Sequence, residues 1–468
     1  MIVFEVFMTS SSCPTVTNWD ALAKALGDME VIRDPNQVEK LSKDYYHFSP
    51  ILQAQLGDRV GDLVVRPATE AEVLTVAQVC AAARVPVTVR GAGTGNYGQC
   101  IPLAGGVVLD LSKLNQVKWV KPGVACLEAG ARLAAIDRVT RESGWELRMY
   151  PSTYRTATIG GFIAGGSGGI GSITYGQLRD RGNLQALRVV TLEDSPQILE
   201  LRGDAVQQVN HAYGTNGIIT ALEVPLAPAY SWAEVIVSFD DFIVAARFGQ
   251  ILGESDGLIK KLISVFAWPI PAYFVALKPY LPQGRAAVLL MIAESSLELL
   301  EDLVKELGGD ITYRKSAQEA SKGTMLAEFT WNHTTLHARS ADPTLTYLQT
   351  AFAYDPDQEV LRHFYEHFGD EVQMHIEYVR MGGRVRPVGL QIVRYTTPER
   401  LEEIIQYHEA QGALIANPHT YILEDGGMKE VNPAQVAFKG AVDPHGLLNP
   451  GKMRGWLEQT GALVNGDA

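Results

Sequence analysis

The stretch Pro86-Val87-Thr88-Val89-Arg90-Gly91-Ala92-Gly93-Thr94-Gly95-Asn96 places glycines at alternating positions directly after a β-branched run. No other part of the chain restricts the fold as strongly. Residues 87–89 read as a strand. Glycine has no Cβ, so the loop after it can turn several N–H groups toward one point and close on an anion, with Arg90 as a fixed positive charge at the mouth. The same glycines also suit a tight connection. A doubly wound dinucleotide fold needs a helix N-terminus immediately after its glycines and an acidic residue about 20 positions further on. Here Tyr97-Gly98-Gln99-Cys100-Ile101-Pro102 follows, then Gly105-Gly106 and a second apolar run, Val107-Val108-Leu109-Asp110-Leu111. The loop joins strand to strand. That excludes the doubly wound fold and leaves a diphosphate-bearing ligand held by another architecture.

A second glycine cluster, from Gly160-Gly161 through Gly165-Gly166 and Gly168-Gly169 to Gly171, is interleaved with Phe162, Ile163, Ala164 and Ile170. Flexible linkers lack such apolar residues, and so many glycines are costly to order. Close approach of the backbone to a flat ligand accounts for both facts.

With 468 residues the chain exceeds the roughly 250–300 at which a single core stops growing, so two domains are expected. A formal charge of −13 argues against nucleic acid or an anionic membrane as partner, and an anionic substrate needs a local positive pocket. Cys13, Cys80, Cys100 and Cys126 show no paired spacing. Free thiols in a reducing compartment fit that usage, and a cysteine-built metal or iron–sulfur site does not. A cytoplasmic protein is expected, with peripheral membrane contact as the alternative. The apolar start from Met1 to Met8 carries Glu5 where a secretion signal is basic, and it reads as a tail. The apolar stretch 262–281 is broken by Pro269, Pro271 and Pro279, so buried core is expected there rather than a membrane span.

Helical segments are expected over 18–56. From Gly61 strands and helices alternate, with Thr69 and Glu72 spaced as a capping box for a helix over 71–84. A hairpin turns at Pro122-Gly123, a helix follows over 131–143, and strands follow at 184–191, 197–201 and 217–224. After Pro225 strands at 234–239, 287–293, 373–380 and 388–394 alternate with helices at 296–307 and 398–409, the pattern of a second α+β domain.

Taken in order, Arg90-Gly91-Ala92-Gly93-Thr94-Gly95, Thr158-Ile159-Gly160-Gly161, Tyr175-Gly176, Gly214-Thr215-Asn216-Gly217-Ile218-Ile219-Thr220 and Asp443-Pro444 with Leu448-Asn449-Pro450-Gly451-Lys452 resemble the FAD-linked oxidases of the vanillyl-alcohol oxidase and p-cresol methylhydroxylase (PCMH) family. The nearest likeness is to the glycolate oxidase and D-lactate dehydrogenase branch. The resemblance is strong over residues 61–228, clear in the tail and loose between. It implies an α+β protein: an N-terminal helical segment over 1–60, a PCMH-type FAD-binding domain of two α+β subdomains over 61–229, an α+β cap with an antiparallel sheet over 230–425, and a tail over 426–468 returning to the FAD domain. It assigns Arg90, Gly91, Ala92, Gly93, Thr94, Gly95 and Asn96 to the pyrophosphate. Pro151, Ser152, Thr158, Gly160, Gly161, Ala164 and Gly165 are assigned to ribityl and isoalloxazine, Gly217, Ile218 and Ile219 to the adenine or ring side, and Asn449 to the cofactor from the tail. Thr94 stands where tethering relatives carry histidine, so FAD is expected to be held without a covalent bond.

The chain departs from the family at several points. Phe162 stands where many relatives have asparagine. The branch's His-x-Gly-Asp-Gly-Asn-x-x-His element is missing, and Leu423-Glu424-Asp425-Gly426-Gly427 replaces its Glu-His-Gly. No metal is expected, with His375, Glu377, His419 and Glu424 as the remaining donors. The implied reaction takes a hydride from a small hydroxylated substrate, by default a 2-hydroxy acid such as glycolate or D-lactate. An alcohol, aldonolactone or phenol is the alternative, as is a flavin-binding subunit of a larger complex with little activity alone. The electron acceptor stays open between oxygen, a quinone and a protein. An arginine fork suits a substrate carboxylate, and Arg339, in the cap segment 331–339, is the expected anchor; a surface pair with Asp342 is the other reading. His419 and His333 are the expected bases, ahead of His337. Arg155 is the expected partner for the reduced flavin's charge.

Overall fold

The computed structural model describes residues 18–320, 322–426 and 430–461. The reading of residues 1–8 as a tail, and Cys13, lie outside these residues.

Three apolar segments, Leu63–Arg66, Val107–Asp110 and Val87–Arg90, lie parallel in one sheet with Val107–Asp110 in the middle. Parallel strands are covered on both faces and so are apolar throughout; Val64, Val65, Val87, Val107 and Val108 are fully buried. The helix Glu70–Ala83 makes the first crossover. Its start is the capping box, Thr69 Oγ1 accepting the Glu72 N–H at 3.1 Å while the Glu72 carboxylate accepts the Ala68 N–H. Glu30–Ile32 joins the sheet antiparallel to Leu63–Arg66. This corrects the purely helical N-terminal segment expected over 1–60: Glu30–Ile32 is an edge strand of the first sheet, missed because only three residues form it.

The second sheet is antiparallel. Val117–Lys121, Val124–Glu128, Ile218–Pro228, Ala186–Val190 and Ile198–Arg202 lie side by side in that order, and Trp145–Leu147 pairs with the far end of Ile218–Pro228. Ile218 at the start of the long strand is fully buried in the core, and its neighbour Ile219, also in that core, reaches the cavity described below. The two sheets share one core, which includes Val65, Leu109, Ile136, Leu187 and Ile218.

An eight-stranded antiparallel sheet forms the cap, with Trp232–Phe239, Ala286–Ala293, Lys260–Phe266 and His375–Met381 at its centre. The stretch 262–281 is core: after Lys260–Phe266 the chain winds through short 3-10 turns that bury Ile270, Phe274 and Leu277. The single strand expected over 388–394 is two, Arg384–Gly389 in the cap sheet and Ile392–Arg394 in a separate three-stranded sheet. The break is stabilised by the Leu390 and Leu348 N–H groups, which donate to the His375 and Gln391 carbonyls at 2.9 and 3.0 Å. Among the described residues no helix is long and apolar enough to cross a membrane.

The cap sheet and the second, antiparallel sheet are joined by a buried ion pair. Lys261 Nζ lies 2.6 Å from Glu146 Oε1 and donates to the Leu147 carbonyl at 2.9 Å, while Trp232 Nε1–H donates to Glu146 Oε2 at 2.9 Å.

Candidate active site

The loop after Val87–Arg90 and the second glycine cluster face one cavity of about 650 Å³. Gly91, Ala92, Gly93, Thr94, Gly95 and Asn96 line it from the loop. Pro151, Ser152, Thr158, Gly160, Gly161, Ala164 and Gly165 line it from the cluster, Gly217 from just before the long strand and Ile219 from within it. The two segments touch: a Cβ on Gly91 would lie 2.2 Å from Thr158 Oγ1. Thr158 is fixed there because it caps the helix Ile159–Gly165, its Oγ1 accepting the Gly161 N–H at 3.3 Å. Among the described residues the N–H groups from Ala92 to Asn96 have no protein acceptor. A row of unpaired backbone donors in a partly buried loop fits an anionic group, and the extended glycine-rich wall beside it fits a flat one. Both requirements are those of a flavin dinucleotide.

Three of the expected cofactor residues act from behind this wall. Arg90 is a correction: it is buried, it does not line the cavity, and its guanidinium donates to the Lys43 carbonyl at 2.6 Å and to the Ala92 carbonyl at 3.4 Å. It braces the loop from beneath and offers no charge at the mouth. Ile218 faces the core. Asn449 is buried, and its Nδ2 donates to the Gln99 carbonyl at 2.7 Å and to the Tyr213 carbonyl at 2.6 Å, tying together two segments of the wall. The tail beside it extends the parallel sheet: the Val87 N–H donates to the Leu447 carbonyl and the Asn449 N–H to the Val87 carbonyl, each at 2.8 Å. Asp443 holds the tail's turn, accepting from the Leu447 and Leu448 N–H groups at 2.9 and 2.7 Å. Lys452, buried and bonded to the Gly98 carbonyl, is pushed by that burial down to about 8.

The cap closes the cavity with Trp331, Ala351, Val379, Met381, Val388 and Leu390, joined by the polar Asn332 and Gln349. Among the described residues the cap contributes no cation to this wall. Trp331 immediately precedes the helix Asn332–Ala341 and has φ 52° and ψ −139°, a region that favours glycine and costs another residue on the order of 1–3 kcal/mol. Its N–H donates to Glu377 Oε1 at 2.8 Å.

The expected catalytic residues are not brought together at the cavity. His419 is buried with both ring nitrogens engaged, Nδ1 to Ser49 Oγ at 2.8 Å and Nε2 to the Tyr347 carbonyl at 2.9 Å. Burial lowers it to about 4, so it is a structural bridge with no free nitrogen. His333 lies outside the lining, and burial holds it below its ordinary value. His337 stacks on Phe329 with Nε2 3.1 Å from the Glu328 carbonyl. Arg339 does not line the cavity either; its guanidinium donates to the Leu345 carbonyl and lies over the Phe48 ring. The pairing with Asp342 is also absent, Asp342 contacting Arg394 instead. Arg155 turns outward to Glu328 at 2.8 Å and the Gly323 carbonyl at 3.0 Å. Sequence reasoning failed here because a histidine or arginine carries no local pattern that distinguishes a site from a buried bridge. Among the described residues no group of three or more His, Cys, Asp or Glu could hold a metal. His375 and Glu377 do meet, at 2.9 Å, but His419 and Glu424 have other partners.

The wall also contains residues the sequence did not single out: Tyr97, Gln99, Tyr213, His211, Arg179 and Trp331. Gln99 was within reach of inference, since it follows the glycine loop by a few residues. Trp331 gave no signal, because its position depends on a contact with a strand far along the chain.

A family model described as an FAD binding domain matches residues 61–198. Glycolate oxidase subunit GlcD of Bacillus subtilis (strain 168) is 27% identical over 437 residues, covering 84% of this chain and 88% of that protein. Over residues 61–198 the chain carries an FAD binding domain, and it is similar to FAD-linked oxidoreductases along most of its length. Its cofactor is FAD, and it is an oxidoreductase. D-lactate dehydrogenase of Anaerostipes hadrus is 28% identical to this chain over 205 residues, 41% of each chain. In fold, an alkyldihydroxyacetonephosphate synthase matches with a TM-score of 0.70 at 16% identity, covering 93% of this chain and 85% of that one. The architecture is thus the expected one, a PCMH-type FAD-binding fold of α+β subdomains with an antiparallel cap sheet.

Proposed function

We propose that this FAD-linked oxidase oxidises a hydroxyl-bearing carbon of a small molecule, with FAD held without a covalent bond between the two glycine-rich segments and the cap. One observation carries the reading: a single cavity runs along both segments and ends on the cap wall, so cofactor and substrate share one enclosed space. Bound FAD supplies the hydride acceptor. The N–H groups of residues 92–96 hold its phosphates, Thr158 and the glycines beside it bear its flat portion, and the cap side chains exclude water from the substrate. A 2-hydroxy acid is the default substrate, supported by relatives named glycolate oxidase subunit and D-lactate dehydrogenase.

A neutral alcohol or phenol is the second reading, favoured by the apolar cap wall and the absence of a described cap-side cation. Anaerobic mixing of the purified yellow protein with glycolate and D-lactate, and separately with benzyl alcohol and a 4-alkylphenol, distinguishes them. Bleaching of the flavin absorbance by the acids supports the default, and bleaching by the neutral compounds alone supports the second. A flavoprotein that no member of either set reduces contradicts both and returns the chain to the role of a flavin-binding subunit.

A further inference from the structure

We propose that Asn332 and Gln349 are the substrate-contacting pair of the cap. Together they bind a hydroxyl of the substrate, the Asn332 amide donating to its oxygen and the Gln349 side-chain carbonyl accepting its O–H. The inference rests on the cavity being the FAD and substrate site.

The cap sheet aims Gln349 at the cavity. Strand Gln349–Ala351 lies between Arg384–Gly389 and Leu414–Ala416, with Ala351 opposite Val388 and Gln349 opposite Ala416. Side chains alternate along a strand, and directly paired residues share a face. Gln349, Ala351, Val388 and Ala416 therefore lie on one face, and all four line the cavity. Thr350 points the other way, fully buried, with its hydroxyl donating to Gln391 Oε1 at 2.6 Å. Two of the neighbours of Gln349 on the cavity face are alanines, so its longer side chain stands above them.

Asn332 meets it from the next element. It opens the helix Asn332–Ala341, and Gln349 Nε2 donates to Asn332 Oδ1 at 3.4 Å. A bond of that length is weak, and it orients the two amides without locking them. Asn332 Nδ2 and Gln349 Oε1 have no partner among the described residues, yet neither is sealed off: both residues are only partly buried, and each of these atoms keeps surface that solvent reaches. Trp331 Nε1, on the same wall, is both unpaired and inaccessible. The remaining cap side chains of the wall are apolar. Among the described residues, the open polar side-chain atoms that the cap offers a ligand are those of this pair.

The pair sets one donor beside one acceptor, and exchanging oxygen and nitrogen in both amides leaves that so. A hydroxyl carries both counterparts, one O–H and two lone pairs. A carboxylate only accepts. It would bond Asn332 and face the lone pairs of Gln349, with no described cation on the cap wall to offset them. A site built around a hydroxyl rejects the analogue that lacks it, because its own polar groups are then left unpaired.

The test uses the FAD-loaded protein and two pairs of probes, 2-hydroxyisobutyrate with isobutyrate and 2-phenyl-2-propanol with cumene. Neither hydroxylated probe has a hydride to lose from its carbinol carbon, so dissociation constants can be read from the shift of the flavin absorbance. In wild type the hydroxylated member binds about fivefold or more tightly than its partner, the gain expected from two hydrogen bonds. A preference in the acid pair alone assigns the hydroxyl to a 2-hydroxy acid, and one in the neutral pair assigns it to a neutral alcohol. Asn332→Leu and Gln349→Leu should each reduce the preference about two- to tenfold, the loss expected for one hydrogen bond, while binding FAD within about threefold of wild type. No preference in wild type, or a preference that either variant retains in full, overturns the proposal. FAD binding weakened beyond that range assigns the pair to the cofactor and overturns it too. If the leucine variants do not fold, Asn332→Ala and Gln349→Ala remove the same polar atoms with less bulk and carry the same expectations. Wild-type protein that takes up no FAD is a different result and removes the underlying reading of the cavity.

Discussion

At the scale of single residues, the glycines were legible and the ionisable groups were not. Gly91 reports a backbone that must pass close to something, and the neighbour turned out to be Thr158, 2.2 Å from where its Cβ would stand. Gly91→Ala should therefore raise the FAD dissociation constant about tenfold or more, since 1.4 kcal/mol of displacement already accounts for tenfold. Adding Thr158→Ala should recover part of the loss in a flavin-fluorescence titration. His419 shows the opposite case, since nothing beside it in the sequence foretold its partners Ser49 and Tyr347. Its pKa falls from 6.5 to about 4 on burial. Between those values the unfolded chain binds a proton that the folded chain refuses, so stability falls as the pH drops from 6.5 toward 4 and the loss levels off below. Glu234, raised by burial to about 7, acts with the opposite sign, losing stability as the pH rises from its ordinary range. Comparing wild type with His419→Gln cancels that contribution. Urea unfolding at pH 7 and pH 5 should show an extra acid loss of about 2 kcal/mol in wild type that the variant lacks.

At the scale of elements, local patterns were read correctly where they are self-contained. The capping box of Thr69 and Glu72 starts the helix Glu70–Ala83 as expected. The run 388–394 defeated the same reasoning, because its break at Leu390 answers to bonds with His375 and Leu348 from elsewhere in the cap. The tail was recognised by its residues, but its task was assigned to the cofactor, whereas Asn449 sits behind the wall and joins the segments of Gln99 and Tyr213. It does so at φ 40°, which asparagine tolerates better than most residues. Asn449→Ala should lower the urea unfolding free energy by about 2 kcal/mol through its lost hydrogen bonds, and should weaken FAD binding without changing the cap wall. Asn449→Gly keeps the backbone freedom and should separate that contribution from the hydrogen bonds.

For the whole molecule, the sequence distinguished the FAD side from the cap but not what joins them. Lys261 and Glu146 fall in no element or motif read from the sequence, yet both are essentially inaccessible, at 1% and 0% side-chain exposure. Removing one partner of such a pair strands the other. Lys261→Met should cost about 3 kcal/mol, the lower end for buried pairs, because Arg141 and Trp232 still contact Glu146. The double variant Lys261→Met/Glu146→Gln should recover most of that in thermal melts, which would separate burial of charge from loss of packing.

The placement of Leu447 and Asn449 against Val87 also fixes an order of events during synthesis. A ribosome makes the glycine loop, both FAD-side sheets and the entire cap before it makes the segment that flanks the loop's own strand. Until residue 449 has emerged, Val87 has an open N–H and carbonyl, and the cradle above it lacks a side. Uptake of the yellow chromophore is therefore expected late, and a chain truncated before Leu447 should take up less FAD than the full chain in a flavin-fluorescence titration.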